Sequence, residues 1–400
     1  MTAPILISAG CVLAGDDLDP IVDGAVLIRD GVIDAVGTAT GLGVPPGTAR
    51  LSFPGMTILP GLVDCHDHLL GRSRFGEGLD GLTEPDGMWA TVFAHYSRLT
   101  LAAGVTTVRV PGMHRGIDLV VRRAMREGFL AGPRMVCAGE AITMTGGHGL
   151  GAGIEADGPA ECTRAARRQL AAGADFIKVM ASGGVGTVRT GEDPTHPELT
   201  VEELAAVVGV ANSARKYVAA HADGVEGIEN ALQAGVHCIE HGIYLTQLQA
   251  EFMANNGVKL VPTLSTMVNI AKKGAQWGLS AEWVRIADGI LDVHRRSFEA
   301  ALRAGVCYGT GTDGYGDMVD EITEFTTYGI SAQRALRAAT RDSAQIASPG
   351  AKFGALIPGW SADLLVVDGD PLTDLAALRS PVLVMLEGAV VKDTAAAHCG

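Results

Sequence analysis

The stretch ILPGLVDCHDH, Ile58 to His68, sets the reading of the whole chain. An apolar, β-branched run ends in an aspartate and two histidines two residues apart. In an extended strand such residues point to the same side, so His66 and His68 can present two imidazoles to one point. Alone, the pair also fits two loop histidines, so the segments that follow decide its meaning.

From Ile58 to Asp313 one alternation recurs: a short apolar run, a glycine-containing loop, then a polar and alanine-rich segment of helical length. Such alternation predicts βα units around a parallel sheet. The expected strands are Ile58–His66, Val105–Val110, Arg134–Ala138, Phe176–Met180, Tyr217–His221, Cys238–His241, Lys259–Leu264 and Val306–Thr312. Helices are expected at Trp89–Ala103, Pro159–Ala172, Val201–Ala214 and Val225–Ala234. Gly104, Gly173 and Gly235 stand where a helix end wants positive φ. Eight such units predict an α/β protein built on a (β/α)8 TIM barrel, and no GxGxxG opens the first helix to suggest a nucleotide fold.

The two ends differ from the middle. ILISAGCVLA and GAVLIRDGVIDAVG near the start, and ADLLVVDGD and VLVMLEGAVVKD near the end, alternate apolar with polar residues around Asp-Gly and Gly-Asp turns. They predict a small composite β-sandwich of residues 1–57 and 350–400, with the barrel, 58–349, inserted between.

Four more ligand-type residues fall at the expected C-terminal ends of later strands: Lys178 in FIKVMASGG, His221 in YVAAHADG, His241 in CIEHG and Asp313 in YGTGTDG. Barrel sites are assembled at that face from several strands. Together with His66 and His68 they make six candidates at one mouth.

The chain therefore resembles the amidohydrolase superfamily, in particular its binuclear prolidase-like and imidazolonepropionase-like members. The resemblance runs through TILPGLVDCHDH, IKVMASGG, the two single-histidine strands, the GTD end and the tail PGWSADLLVVDGDPL. It implies that His66 and His68 hold one divalent metal and His221 and His241 a second. It also implies that Lys178, carbamylated by carbon dioxide, bridges them, and that Asp313 binds metal while moving protons. A buried ammonium would repel a metal ion, whereas a carbamate offers two anionic oxygens. Imidazole and oxygen donors suit Zn first, with Mn, Co or Fe compatible. The expected reaction is hydrolysis of a C–N amide-type bond in a dipeptide, N-acyl amino acid, aryl amide, carbamate or urea. A hydroxide bridging two cations about 3.5–4 Å apart would attack, with Asp313 as general base and then acid.

Other readings compete. A mononuclear deaminase often carries His-Ala-x-Glu on its fifth strand, where this chain has His221-Ala222-Asp223-Gly224. An imidazolonepropionase-type cyclic amide hydrolase usually manages with one metal. A non-catalytic, assembly-forming barrel loses ligands, and here all six are present.

Around these six, His148 in TGGHG matches a position that in the similar enzymes contacts the substrate carbonyl or the oxyanion, and Tyr244, three residues after His241, could donate a hydrogen bond to the same site. Arg72, Arg74 and Arg189 are candidates for gripping a substrate carboxylate through a guanidinium fork. The Leu69–Met88 connection, with Gly71, Gly76, Gly78 and Gly81, is long enough to act as a lid.

Composition narrows the partners. With 45 acidic against 31 basic residues the formal charge is −14, and no basic run could neutralise a phosphate backbone, which argues against nucleic acid. No apolar stretch approaches the roughly 20 residues of a membrane helix, and MTAPILISAG lacks the pattern of a signal peptide. Seven cysteines without a CxxC pair read as reduced thiols, with Cys65 and Cys137 as buried spectators. The expectation is a cytoplasmic, homo-oligomeric enzyme acting on a small molecule.

Overall fold

The structure, a computed structural model, describes residues 3–70, 84–185 and 193–394. Its strands, in chain order, are β1 (Ile5–Ala14), β2 (Asp19–Val22), β3 (Gly24–Arg29), β4 (Val32–Thr38), β5 (Ala49–Pro60), β6 (Leu62–Asp64), β7 (Val105–Val110), β8 (Arg134–Cys137), β9 (Ile142–Thr143), β10 (Ile154–Glu155), β11 (Ile177–Met180), β12 (Val218–Ala222), β13 (Cys238–His241), β14 (Lys259–Val261), β15 (Leu364–Asp368), β16 (Leu383–Leu386) and β17 (Ala389–Asp393). Helices alternate with the middle strands, giving a mixed α/β fold. No helix of the described residues is long and apolar enough to cross a membrane.

Strands from both ends of the chain share one sheet, in the order β17-β16-β15-β5-β1-β3-β4, with β2 on β1. Period-two alternation explains how this sheet serves two cores. Ile58, Leu364 and Val366 face an apolar cluster with Ile7, Val12, Val26, Ile28 and Phe53. Their neighbours Leu59, Leu365 and Val367 face the opposite way, into the main core. Arg134 on β8 reinforces the junction by pairing with Asp363 and, at 2.8 Å, with Glu387.

The remaining strands pair in parallel, as β6-β7-β8 and as β10-β9-β11-β12-β13-β14. Further backbone bonds join them: Asp175 N to Cys137 O (2.7 Å), Leu260 N to Cys307 O (3.0 Å) and Cys65 N to Thr310 O (2.8 Å). Val105, Val108, Ile177, Val179 and Ile239 pack outward under the helices. Val63, Cys65, Phe176, Ala219, Cys238 and Val261 form a second, inner cluster.

Six of the expected strands have different limits: Arg134–Ala138 and Phe176–Met180 each lose one residue at an end, and four others change more. The run Ile58–His66 is divided between β5 and β6 at Gly61, where an added Cβ would collide with Thr106. His66 and His68 consequently lie beyond the strand, in the turn that follows it. Lys259–Leu264 stops at Val261, because Pro262 has no N–H to give and Thr263 adopts a left-handed φ of 49°. The helix Leu264–Lys273 begins there, its first amides donating to the Glu321 carboxylate at 3.1 and 2.7 Å.

Val306–Thr312 forms only a single bridge, Tyr308 to Leu260. Two of its later donors go to side chains instead: Thr310 N to Ser343 Oγ (3.0 Å) and Thr312 N to Asp64 Oδ1 (3.3 Å). Tyr217–His221 moves on by one residue to Val218–Ala222. The short strands β9 and β10 carry no sequence pattern strong enough to announce them.

The expected helices appear within a few residues: Asp86–Ala102, Gly158–Ala172, Val201–Ser213 and Val225–Ala234. Gly104, Gly173 and Gly235 all have positive φ, at 97°, 99° and 84°.

Candidate metal centre

The site is built where the strands end. Asp64, the last residue of β6, accepts from the His66 amide (3.0 Å) and from Thr312 Oγ1 (2.7 Å), clamping the two turns together. The Asp313 amide then donates to His66 O at 2.7 Å. Gly311 lets these turns approach, since a Cβ there would come within 2.7 Å of His66 Cβ. As a result Asp313 Oδ1 stands 3.4 Å from His66 Nε2 and 3.5 Å from His68 Nε2.

The other ligand-type residues arrive from β11, β12 and β13. In register, Met180 lies beside His221 and Ala222 beside His241. Glu240 points inward, so simple alternation would send His241 to the helix side. A left-handed φ of 64° at His241 breaks that alternation, and its ring lies 4.7 Å from His66 and 4.8 Å from His221. Thr263 and Asp313, at φ 49° and 50°, share this uncommon geometry. Non-glycine residues in that region cost free energy that the surrounding structure must impose, and such strain gathers at functional sites.

A cavity of about 60 Å³ is lined by His66, His68, His148, Lys178, His221, Asp223, His241 and Asp313, with Met180, Val185 and Met267 as apolar walls. The structure thus brings together all six residues expected to bind metal, and His148 with them. His148 stacks on His221 with ring centroids 4.1 Å apart. Tyr244 is not part of the lining among the described residues; it packs in the neighbouring apolar cluster with Met267 and Ile243. Arg72, Arg74 and Arg189 lie outside the described residues, as does most of the expected lid, residues 71–83.

Each imidazole is oriented by its other nitrogen. His66 Nδ1 is 2.6 Å from Glu240 Oε2, His68 Nδ1 is 2.9 Å from Gly112 O, and His241 Nδ1 is 2.7 Å from Thr263 Oγ1. These contacts leave Nε2 of all three for an ion. His221 is reversed: its Nε2 lies 3.1 Å from Gly183 O, so Nδ1 is the nitrogen it can offer. Such outer partners fix the tautomer of a metal-binding histidine.

Electrostatics favour a cation. Burial pushes the His68 imidazole down to about 4, and holds those of His221 and His241 well below the ordinary value. Neutral imidazoles are what a metal requires. Burial alone would raise Asp313, but His66, His68 and Lys178 outweigh it and keep its carboxyl below the usual range.

Lys178 is the anomaly. Only 2% exposed, its Nζ has no hydrogen-bond partner among the described residues, and burial lowers it to about 8. An amine in that position is costly as an ammonium and poorly explained as a free base. The ligand atoms of His66, His241 and Asp313 all lie within 4.8 Å of one another. The donor set fits divalent cations.

Two buried groups behind the site escaped the sequence reading. Arg109 and Glu240 are both fully buried, and Arg109 Nη2 reaches Glu240 Oε1 at 2.6 Å. Their signal was present as single charges inside the apolar runs VTTVRV and CIEH, where ionised residues rarely sit unpaired. Cys65 and Cys137 are buried thiols, the first pushed up to about 12 by burial, which suits spectators and not nucleophiles.

The amidohydrolase family model matches residues 57–391. The chain is 28% identical over 410 residues to ochratoxinase of Aspergillus niger, covering 95% of this chain and 84% of that protein. A crystal structure of an amidohydrolase superposes with a TM-score of 0.87 at 31% identity, covering 98% of this chain and 99% of the other. A prolidase complexed with N-methylphosphonate-L-proline gives 0.88 and 30%, covering 98% and 100%. On the family match across most of its length, and on its likeness to solved members, this chain is a hydrolase of the amidohydrolase family.

Proposed function

We propose that this hydrolase cleaves a C–N amide-type bond in a small molecule with the help of two divalent ions, Zn being the first choice. The observation that carries the reading is Lys178: a buried amine with no hydrogen-bond partner among the described residues, in a cavity lined by five histidines and two aspartates. In this reading His66 and His68 would hold one ion and His221 and His241 the other. Lys178, on adding carbon dioxide at Nζ and losing a proton, would offer the two oxygens of a carbamate to them. When bound, such ions activate water as a nucleophile near neutral pH and polarise the scissile carbonyl.

The chain's own residues supply the rest. Asp313, ionised and beside His66 and His68, takes the proton of the attacking water and delivers it to the departing nitrogen. His148, held against His221, directs an imidazole N–H toward the substrate carbonyl oxygen. Met180, Val185 and Met267 wall the cavity and limit stray water. Likeness to a prolidase that binds a phosphonate of proline supports an amide substrate, because a tetrahedral phosphonate resembles the geometry of amide hydrolysis in progress.

We also read the two parallel sheets as one closed (β/α)8 barrel over residues 58–349, carrying a sandwich made from 1–57 and 350–400. The backbone bonds from Asp175 to Cys137, Leu260 to Cys307 and Cys65 to Thr310 support closure.

The test is a hydrolysis screen of dipeptides, N-acyl amino acids, aryl amides and carbamates, run with the native protein and with Asp313→Asn. Turnover should fall by about 10²–10⁴-fold in the variant. Equal turnover by both proteins would remove Asp313 from the mechanism, and no hydrolysis in any class would overturn the reaction.

A further inference from the structure

We propose that Arg109 and Glu240 form a buried positioning pair whose task is to hold His66 ready for its ion. The inference rests on the two-metal reading above.

The geometry is a chain of short contacts. Glu240 Oε2 lies 2.6 Å from His66 Nδ1, while Arg109 Nη2 donates to both Glu240 oxygens, at 2.6 and 2.9 Å. A carboxylate only accepts, so Nδ1 of His66 carries the ring proton and Nε2 is left with its lone pair toward Asp313. Arg109 also grips the backbone leading to that ring, its Nε donating to Cys65 O at 2.6 Å. Ring and main chain of His66 are therefore fixed by one guanidinium, which itself lies over the Phe176 ring at 5.4 Å.

Stability does not explain the arrangement. Both side chains are 0% exposed, and Arg109 Nη1 finds no partner among the described residues. Desolvating two charges is expensive, and apolar side chains of similar volume often serve a core as well or better. One guanidinium nitrogen reaches both Glu240 oxygens, at 2.6 and 2.9 Å, the geometry of a charge-assisted pair. What the pair adds is a fixed tautomer and a more basic ligand nitrogen.

Removing one partner would strand the other's charge and could unfold the protein, so the test removes both. Arg109→Met combined with Glu240→Met keeps volume and deletes both charges. Arg109→Met combined with Glu240→Gln restores an uncharged acceptor for His66 Nδ1. Zn affinity is read by competition with a chelator, and the His66 tautomer by ¹⁵N NMR of the metal-free, histidine-labelled protein.

The Met/Met protein should unfold cooperatively, bind Zn about 10–100-fold more weakly and lose the single Nδ1–H tautomer. The Met/Gln protein should recover most of both. A folded Met/Met protein that matches the native affinity, or a Met/Gln protein no better than it, overturns the positioning role alone. A native protein that takes up no Zn overturns the two-metal reading and this inference with it.

Discussion

At the scale of single residues, Lys178 carries the most information. Its amine is buried among groups that leave it unpaired, and burial brings it to about 8, within reach of carbamylation near neutral pH. Native mass spectrometry at neutral pH should show the added mass of one carbon dioxide, absent from Lys178→Met. That variant should also lose turnover by more than about 10³-fold, because without a bridging anion the two ions would not be held. Retained activity would exclude the bridging role.

His237 offers a check on the electrostatics away from the site. Burial and the neighbouring Arg109 and Lys259 push its imidazole down to about 4. The unfolded chain, with an ordinary histidine, takes up a proton first as pH falls from about 6.5 to about 4, so native stability declines across that window. Urea unfolding at pH 7.5 and 4.5 should show His237→Asn losing about 2 kcal/mol less than the native protein between the two. Parallel losses in both proteins would contradict the assignment.

Elements explain what the sequence made legible. His66, His221 and Asp313 could be read because each stands at or just past the end of an apolar run, and strand ends meet at one face, whereas Lys178 stands inside its run, IKVM. Arg109 and Glu240 could not be assigned a role, because a charge inside a strand says nothing about which distant strand supplies its partner. His241 is assigned through the resemblance alone: alternation aims it outward, and the positive φ, a product of tertiary packing, turns it in.

The strand expected at Ile58–His66 differs in length for a comparable reason. One uninterrupted apolar run serves two sheets, and the division at Gly61 is visible only as its contact with Thr106. Gly61→Ala should therefore destabilise the protein by about 1–3 kcal/mol in urea unfolding through overpacking, with partial recovery when Thr106→Ser removes a methyl group. A neutral Gly61→Ala would mean that the junction has more room than its geometry indicates.

For the whole molecule, the terminal sheet and the middle strands share a core through Leu59, Leu365 and Val367. Arg134 stitches the same seam from β8, and Asp363, its partner, is 1% exposed. Arg134→Met should cost about 3 kcal/mol by stranding that carboxylate, measured as a lower urea midpoint with an unchanged slope. A split into two transitions would show instead that the two parts unfold separately.

This shared framework holds the strand ends in register, and the account stands or falls on what they bind. Elemental analysis of the purified native chain and of Lys178→Met is the most direct test: the account predicts about two divalent ions per native chain, lost together in the variant, whereas one ion or none in the native protein would contradict it.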